Sequence, residues 1–461
     1  MLLNKRQVLM FLALLLAIRM FGQDCNCESS FQWMKEVFEK NDAGFQYVID
    51  KKGTSEYEKH NAAFLEKVKS AKNNNECAEY LNNWLFFFRK GHIGIEVLKN
   101  DTVANSQEEI NTFPDWERVD IDTLEFKKYL DEKKEIDLEG IWRSETYTVG
   151  IKKVENQFIG FIIDSQAKEW ETGQIKFRIY SDSAIYYMRD HSVQRIKQAK
   201  LVSPNGFYFD GSLDYVRIYP KYEDKFVETF VNKQFYLKQL NAQTLYLQIP
   251  TFPYEANALD SVILTNKEKI LSTKNLIIDL RFNGGGSDNA WYNLLPIIYT
   301  NPIRQKSCYI LSSELNNQQA RKYRSNDFYE KLNNNLGKFV PLFSEKYFTN
   351  RFDKVYKNPK NVAVIVNEYC ASSTEQFLLA ARQSKKVKIF GKVTAGELDF
   401  SNLNRVVSPC NDFKLYYATS KDVDIESYPI DGIGIQPDFY LDDEIPEYQW
   451  INYVNDILNN H

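Results

Sequence analysis

Histidine is scarce in this chain: His60, His92, His191 and His461 are the only four among 461 residues. Any chemistry that needs an imidazole therefore has few candidates. No Cys-x-x-Cys pair with a nearby histidine occurs, which argues against a structural zinc site. No basic block stands out and the net charge is −4, so the electrostatic footprint of a nucleic-acid binder is missing. Phosphate-cradling loops of the Gly-x-x-x-x-Gly-Lys-Ser/Thr or Gly-x-Gly-x-x-Gly type are absent. After the first two dozen residues no long apolar run follows, so no second membrane-crossing segment is expected. There is no internal repeat.

What is present fits a folded, multidomain chain. A length of 461 residues exceeds one ordinary core and points to about two to four domains. Hydrophobic residues make up 43% and charged residues 26%, enough to fold rather than stay disordered. Tyr and Phe are abundant, 29 and 31, which suits β-rich packing.

Residues 1–23 read as an export signal. Lys5 and Arg6 form the positive start, 8–18 the apolar run, and Gly22, Gln23 and Asp24 follow. Asp24 is a poor neighbour for a lipidated Cys25. The expected product is an exported protein, periplasmic or extracellular, without stable membrane insertion. An oxidising compartment permits disulfides, and Cys25 or Cys27 with Cys77 would tie the N-terminus to a nearby helix.

Three amphipathic helices are expected next. The first carries Phe31, Met34 and Phe38 on one face with Ser30 as its cap; the second carries Tyr57, Phe64 and Val68. The third carries Tyr80, Leu81, Trp84, Leu85 and Phe88. Together with a polar connection over about 100–118 they define a helical domain over 24–118. Short aromatic and β-branched segments (141–151, 157–163, 174–180, 184–188), punctuated by turns such as Pro204-Asn205-Gly206, predict a β-rich insert over 119–234. A small barrel or a sandwich would fit. Strands alternate with helices over 235–461, which predicts an α/β domain.

Chemistry concentrates at two strand ends of that last domain. The apolar strand 362–366 leads through Asn367-Glu368-Tyr369-Cys370-Ala371 to Ser372, where a helix begins. Unpaired N–H groups at a helix start can stabilise an oxyanion. Ser372 and Glu375 also read as a plain capping box. The strand 275–280 ends in Arg281-Phe282-Asn283-Gly284-Gly285-Gly286, and three glycines let a backbone approach a substrate closely. Among the histidines, His461 is terminal, His191 sits beside Arg189 and Asp190, and His60 lies on a helix face. His92, in Lys90-Gly91-His92-Ile93-Gly94, is the base candidate by elimination, although a helix C-cap would also explain it.

These segments resemble the tail-specific (C-terminal processing) protease and tricorn-core family of serine peptidases. Leu276 to Gly286 is similar to its "IDLR-x-N-GGG" signature, and 364–377 to its nucleophile segment. Gly391-Lys392-Val393-Thr394-Ala395-Gly396 is similar to "G-x-x-T-A-G". Asp431-Gly432-Ile433-Gly434-Ile435-Gln436-Pro437-Asp438 is similar to "E-G-x-G-V-x-P-D", and Lys90-Gly91-His92 to "D-G-H". The resemblance implies an α/β fold with a ββα spiral core of the Clp protease and crotonase type. It implies Ser372 as nucleophile, His92 as general base and Asp431 as the acid, with Glu426 as a substitute because Asp431 stands where the family has Glu. Ser373, Gly284 and Gly285 would supply the oxyanion donors. A Ser–Lys dyad is the family's other arrangement; Lys392 lies near but earlier than its lysine, and Phe-Gly-Lys-Gly is missing. No Gly-Leu-Gly-Phe-like loop marks a PDZ domain in the insert. The implied activity is hydrolysis of peptide bonds in a peptide or protein substrate, by an endopeptidase or a C-terminal processing peptidase, with no cofactor. The alternative is a noncatalytic peptide- or ligand-binding protein on the same scaffold.

Overall fold

The computed structural model describes residues 25–98, 113–120, 122–181, 183–197, 199–209, 212–224, 226–227, 234–255 and 257–460. The expected export signal and residues 99–112 of the polar connection lie outside them. Two compact units share the chain. One comprises 1–104, 306–348 and 397–432; the other comprises 105–305, 349–396 and 433–461. The segment 235–461, read as one domain from the sequence, thus contributes to both.

The first unit joins six helices, among the described residues, to a five-stranded sheet. Helix Cys27–Asn41 opens with Asn26, not Ser30, as its cap: Asn26 Oδ1 accepts from Ser29 N–H at 2.8 Å, and Ser29 Oγ accepts from Asn26 N–H at 3.2 Å. A short helix, Phe45–Lys52, precedes Thr54–Val68 and Asn74–Leu85. Phe31, Met34, Phe38, Leu81, Trp84 and Leu85 form the core and pack against Phe413, Leu415 and Tyr417 of strand Phe413–Asp422. That strand pairs with Gly94–Val97, Cys308–Leu311 and Phe400–Val407. Two disulfides brace this unit, Cys27–Cys77 and Cys25–Cys410. The first is one of the pairings the sequence allowed. The second joins cysteines 385 positions apart, which no local pattern reports.

The second unit contains the β-rich insert and the α/β core. The insert is one antiparallel nine-stranded sheet rather than a two-sheet sandwich. Its two edge strands, Val193–Ile196 and Ala199–Ser203, are consecutive in the chain, so the sheet curls almost into a barrel. Trp142, Phe177, Phe207 and Tyr215 fill it. The core sheet runs Tyr236–Asn241, Thr244–Gln248, Asn275–Asp279, Asn361–Val366, Val387–Gly391 and Phe439–Tyr440, parallel from the second strand onward. Its central strands read as unbroken apolar runs because both faces are buried, as parallel sheets require. Register places Asp279 opposite Ile365 and Val366 opposite Gly391. The three connections that carry the family-like motifs therefore leave the sheet at one edge. Among the described residues, no helix is long and apolar enough to cross a membrane.

Candidate active site

At this sheet edge the signature Asp279 and Arg281 are structural. The Arg281 guanidinium folds back onto Asp279, with Nη2 at 2.7 Å and Nε at 3.0 Å from its two oxygens, and Tyr246 donates to Asp279 at 2.9 Å. All three residues are buried, so each charge needs this partnering to stay in the interior. The pair fixes the point at which the glycine run leaves the strand.

Ser372 adopts φ 58°, ψ −120°, a left-handed backbone that a residue with a Cβ rarely takes. The surroundings over-determine it. Ser372 N–H donates to Glu375 Oε2 at 3.1 Å, Ala371 N–H to the Asn283 carbonyl at 3.2 Å, and the Cys370 thiol to the Leu280 carbonyl at 3.0 Å. Glu375 does more than cap a helix. Its fully buried carboxylate also accepts from Gly396 N–H at 2.9 Å and from the Thr394 hydroxyl, tying the serine turn to the Thr-Ala-Gly loop. Thr394 in turn accepts from Ile435 N–H at 2.7 Å.

The glycine run lies directly against this turn. A Cβ on Gly285 (φ 101°) would sit 2.8 Å from the Ala371 carbonyl oxygen and 2.9 Å from both Ser372 Cβ and Ser373 N, so only glycine fits. Gly285 N–H is spent on Asn283 Oδ1 at 2.9 Å. The oxyanion donor expected at Gly285 is therefore already occupied. Gly284 is exposed and its α-carbon faces open space. Among the described residues, neither Gly284 N–H nor Ser373 N–H meets a protein acceptor.

The other predicted residues belong to the first unit. His92 (φ 57°) is only partly exposed, and its Nδ1 meets the Phe400 carbonyl. A carbonyl only accepts, so Nδ1 carries the proton and neutral His92 keeps its lone pair on Nε2. Burial pushes the imidazole down to about 4. Arg89 anchors the preceding turn, donating from Nη1 to Asp42 Oδ1 at 2.9 Å and from Nε to the Gly91 carbonyl at 3.1 Å. The group at Nδ1 is thus a backbone carbonyl. Asp431 Oδ1 instead accepts the N–H groups of Leu398 and Asp399, each at 2.7 Å. Asp399 Oδ2 returns the arrangement, accepting from Ile430 and Asp431 N–H at 2.7 and 2.8 Å. Burial, then the charge of Asp399, pushes the Asp431 carboxyl up to about 7. Glu426 is exposed on a turn, with Lys51 and Lys421 for neighbours.

Lys392 does not offer a free amine. Its Nζ donates to Asp443 Oδ1 at 2.7 Å, and although burial opposes the charge, that bond and Glu368 hold its pKa above the ordinary lysine value. Among the described residues the other two histidines pack in aromatic clusters, and His461 lies outside those residues. His60 stacks on Phe87, and His191 on Trp170. The Phe400 carbonyl, as a backbone group, could not be found from residue types.

Residues 243–441 match the model of Peptidase family S41. A 97-residue stretch is 34% identical to a probable CtpA-like serine protease of Staphylococcus haemolyticus (strain JCSC1435), spanning 20% of this chain and 18% of that protein. Among solved structures, mature CPAF superposes over 94% of this chain and 96% of its own with a TM-score of 0.53 and 12% identity. CPAF complexed with lactacystin superposes over 95% and 99%, with the same score and identity. At that identity the likeness establishes the fold: an α/β architecture with a helical N-terminal region and a nearly closed β sheet. The resemblance read from the motifs holds over the matched stretch.

Proposed function

We propose, from the premise that residues 243–441 are an S41-type peptidase core, that this chain is a serine peptidase acting on peptide or protein substrates through an acyl-enzyme on Ser372. The observation that carries this reading is the strained Ser372 backbone, packed against Gly285 and followed by a Ser373 N–H that meets no acceptor among the described residues. Strain is retained where function requires it, and unpaired donors next to a nucleophile suit a developing oxyanion. His92 serves as general base from Nε2, taking the Ser372 proton as the hydroxyl attacks the carbonyl and returning it to the leaving amine. The Phe400 carbonyl holds the tautomer this requires. Asp431 acts one step back, bonding the two N–H groups that lead into Phe400. Passage through an oxidising compartment, expected from the leader-like start, is supported by the two disulfides.

The test is labelling of the purified protein with a fluorophosphonate probe. Wild type is expected to label, and Ser372→Ala and His92→Ala to lose the label. A folded wild type that never labels sinks the peptidase reading and leaves a binding scaffold. Loss in Ser372→Ala alone, with His92→Ala still labelled, removes histidine as the base.

A further inference from the structure

Ser373 carries a buried hydroxyl at the first position of the helix, where alanine would present the same backbone N–H. That hydroxyl is fixed from both sides by one short segment. Ser373 Oγ donates to Asp288 Oδ1 at 2.6 Å and accepts from Trp291 Nε1 at 3.1 Å. Asp288 and Trp291 open the 3-10 helix Asp288–Leu294, which directly follows the glycine run and Ser287. Asp288 is an exposed residue by surface area, yet the crowding around its carboxyl pushes its pKa up. Trp291 is fully buried and reaches Phe377, on the same helix as Ser373, at 5.9 Å between ring centres.

We infer that Asp288 is a positioning residue for the oxyanion donors, acting through the Ser373 hydroxyl; this rests on the serine-peptidase reading above. One donor, Gly284 N–H, sits on the glycine run and the other, Ser373 N–H, on the helix start. Three ties straddle the gap between them, one of them from the Thr374 hydroxyl to the Asn283 carbonyl at 2.8 Å. The bond from Ala371 N–H to the Asn283 carbonyl holds one end, and Ser373 to Asp288 holds the other. Oxyanion stabilisation depends on donors being in place before charge develops, so a helix start released by even a fraction of an ångström loses rate without losing substrate. Asp288 belongs to none of the five motifs that carry the family resemblance.

The experiment measures the second-order rate of fluorophosphonate labelling for wild type, Asp288→Asn, Asp288→Leu, Ser373→Ala and the double variant Asp288→Leu/Ser373→Ala, with Ser372→Ala as blank. Asp288→Asn keeps an acceptor oxygen for the hydroxyl and is expected near the wild-type rate. Asp288→Leu and Ser373→Ala are each expected to slow labelling about 10- to 100-fold. The double variant is expected to be no slower than Ser373→Ala, because Ser373→Ala already removes the bond through which Asp288 acts. Melting temperatures accompany each rate, and Asp288→Ala replaces Asp288→Leu should leucine disturb folding. Effects that add in the double variant, or labelling indifferent to Asp288→Leu, overturn the inference while leaving the peptidase reading intact. A wild type that fails to label overturns that reading and this inference with it.

Discussion

On the proposed mechanism, acidification is expected to cost far less activity than it would with an ordinary histidine base. With His92 pushed down to about 4 by burial, about 97% of the imidazole is still neutral at pH 5.5, whereas one titrating at the usual value near 6.5 would be only about 9% neutral there. The two cases differ roughly tenfold in the concentration of competent base at pH 5.5. Burial dominates because the imidazolium would lose its hydration, and Arg89 adds repulsion; the Phe400 carbonyl, which favours the charged form, offsets part of this. The assay is the rate of labelling by a fluorophosphonate, which has no titrating group of its own, from pH 4 to 8. A second inflection near 7 is expected from Asp431, and Asp431→Asn should remove it while leaving the lower limb. A single inflection near 6.5, unchanged by Asp431→Asn, would refute the argument from burial.

Further outcomes follow from the same structure. Gly285→Ala should abolish labelling in a protein that still folds, since its new methyl would meet Ala371, Ser372 and Ser373 within 3 Å; labelling at the wild-type rate would contradict the packing. Lys392→Met should label normally, because Lys392 is committed to Asp443; loss of label with an intact melting temperature would revive a lysine base. Replacing Cys27 by Ser opens a loop with a sequence separation of 50 and should lower stability by about 4 kcal/mol in urea unfolding, a shift under about 1 kcal/mol being the contrary result. Stability should also respond to pH in two opposed ways. His92, lowered in the fold, adds stability as pH rises from about 4 toward 6.5. Asp431, raised in the fold, gives up stability as pH rises from 3.8 toward about 7. Thermal melts of Asp431→Asn should therefore show a steeper gain with pH than wild type, and a shallower one would reverse the assignment.

Much of the second unit was legible because its signals are local. Strands such as Asn361–Val366 are apolar throughout when both faces are covered, and a glycine triplet at a strand end announces a close approach. Ser372 and Glu375 could be read as a cap, and they are linked as one, but the sequence could not show that the same carboxylate also reaches Thr394 and Gly396. The short helix Phe45–Lys52 was missed between two longer ones; at 8 residues it has too few turns to display a period. The Cys25–Cys410 bond and the contribution of 306–348 and 397–432 to the first unit are set by long-range packing that no local window contains. The contact at His92 Nδ1 was invisible for a different reason: every residue has a carbonyl, so residue identity says nothing about which one is used. Asp288 lacked a motif, and an aspartate after a turn is ordinary.

The pairing of the two loops that make up the serine turn also sets a timetable. Leu280 and Cys370, whose bond helps close that turn, stand 90 residues apart in the chain, and the last strand before the serine pairs in parallel with one made long before it. Until the later segment has been synthesised, the glycine run has no partner and the serine turn cannot close. The Cys25–Cys410 bond waits longer still, for a residue 385 positions on. On the proposed function, a peptidase assembled in this order would stay inactive through most of its own synthesis, with no working centre on the growing chain.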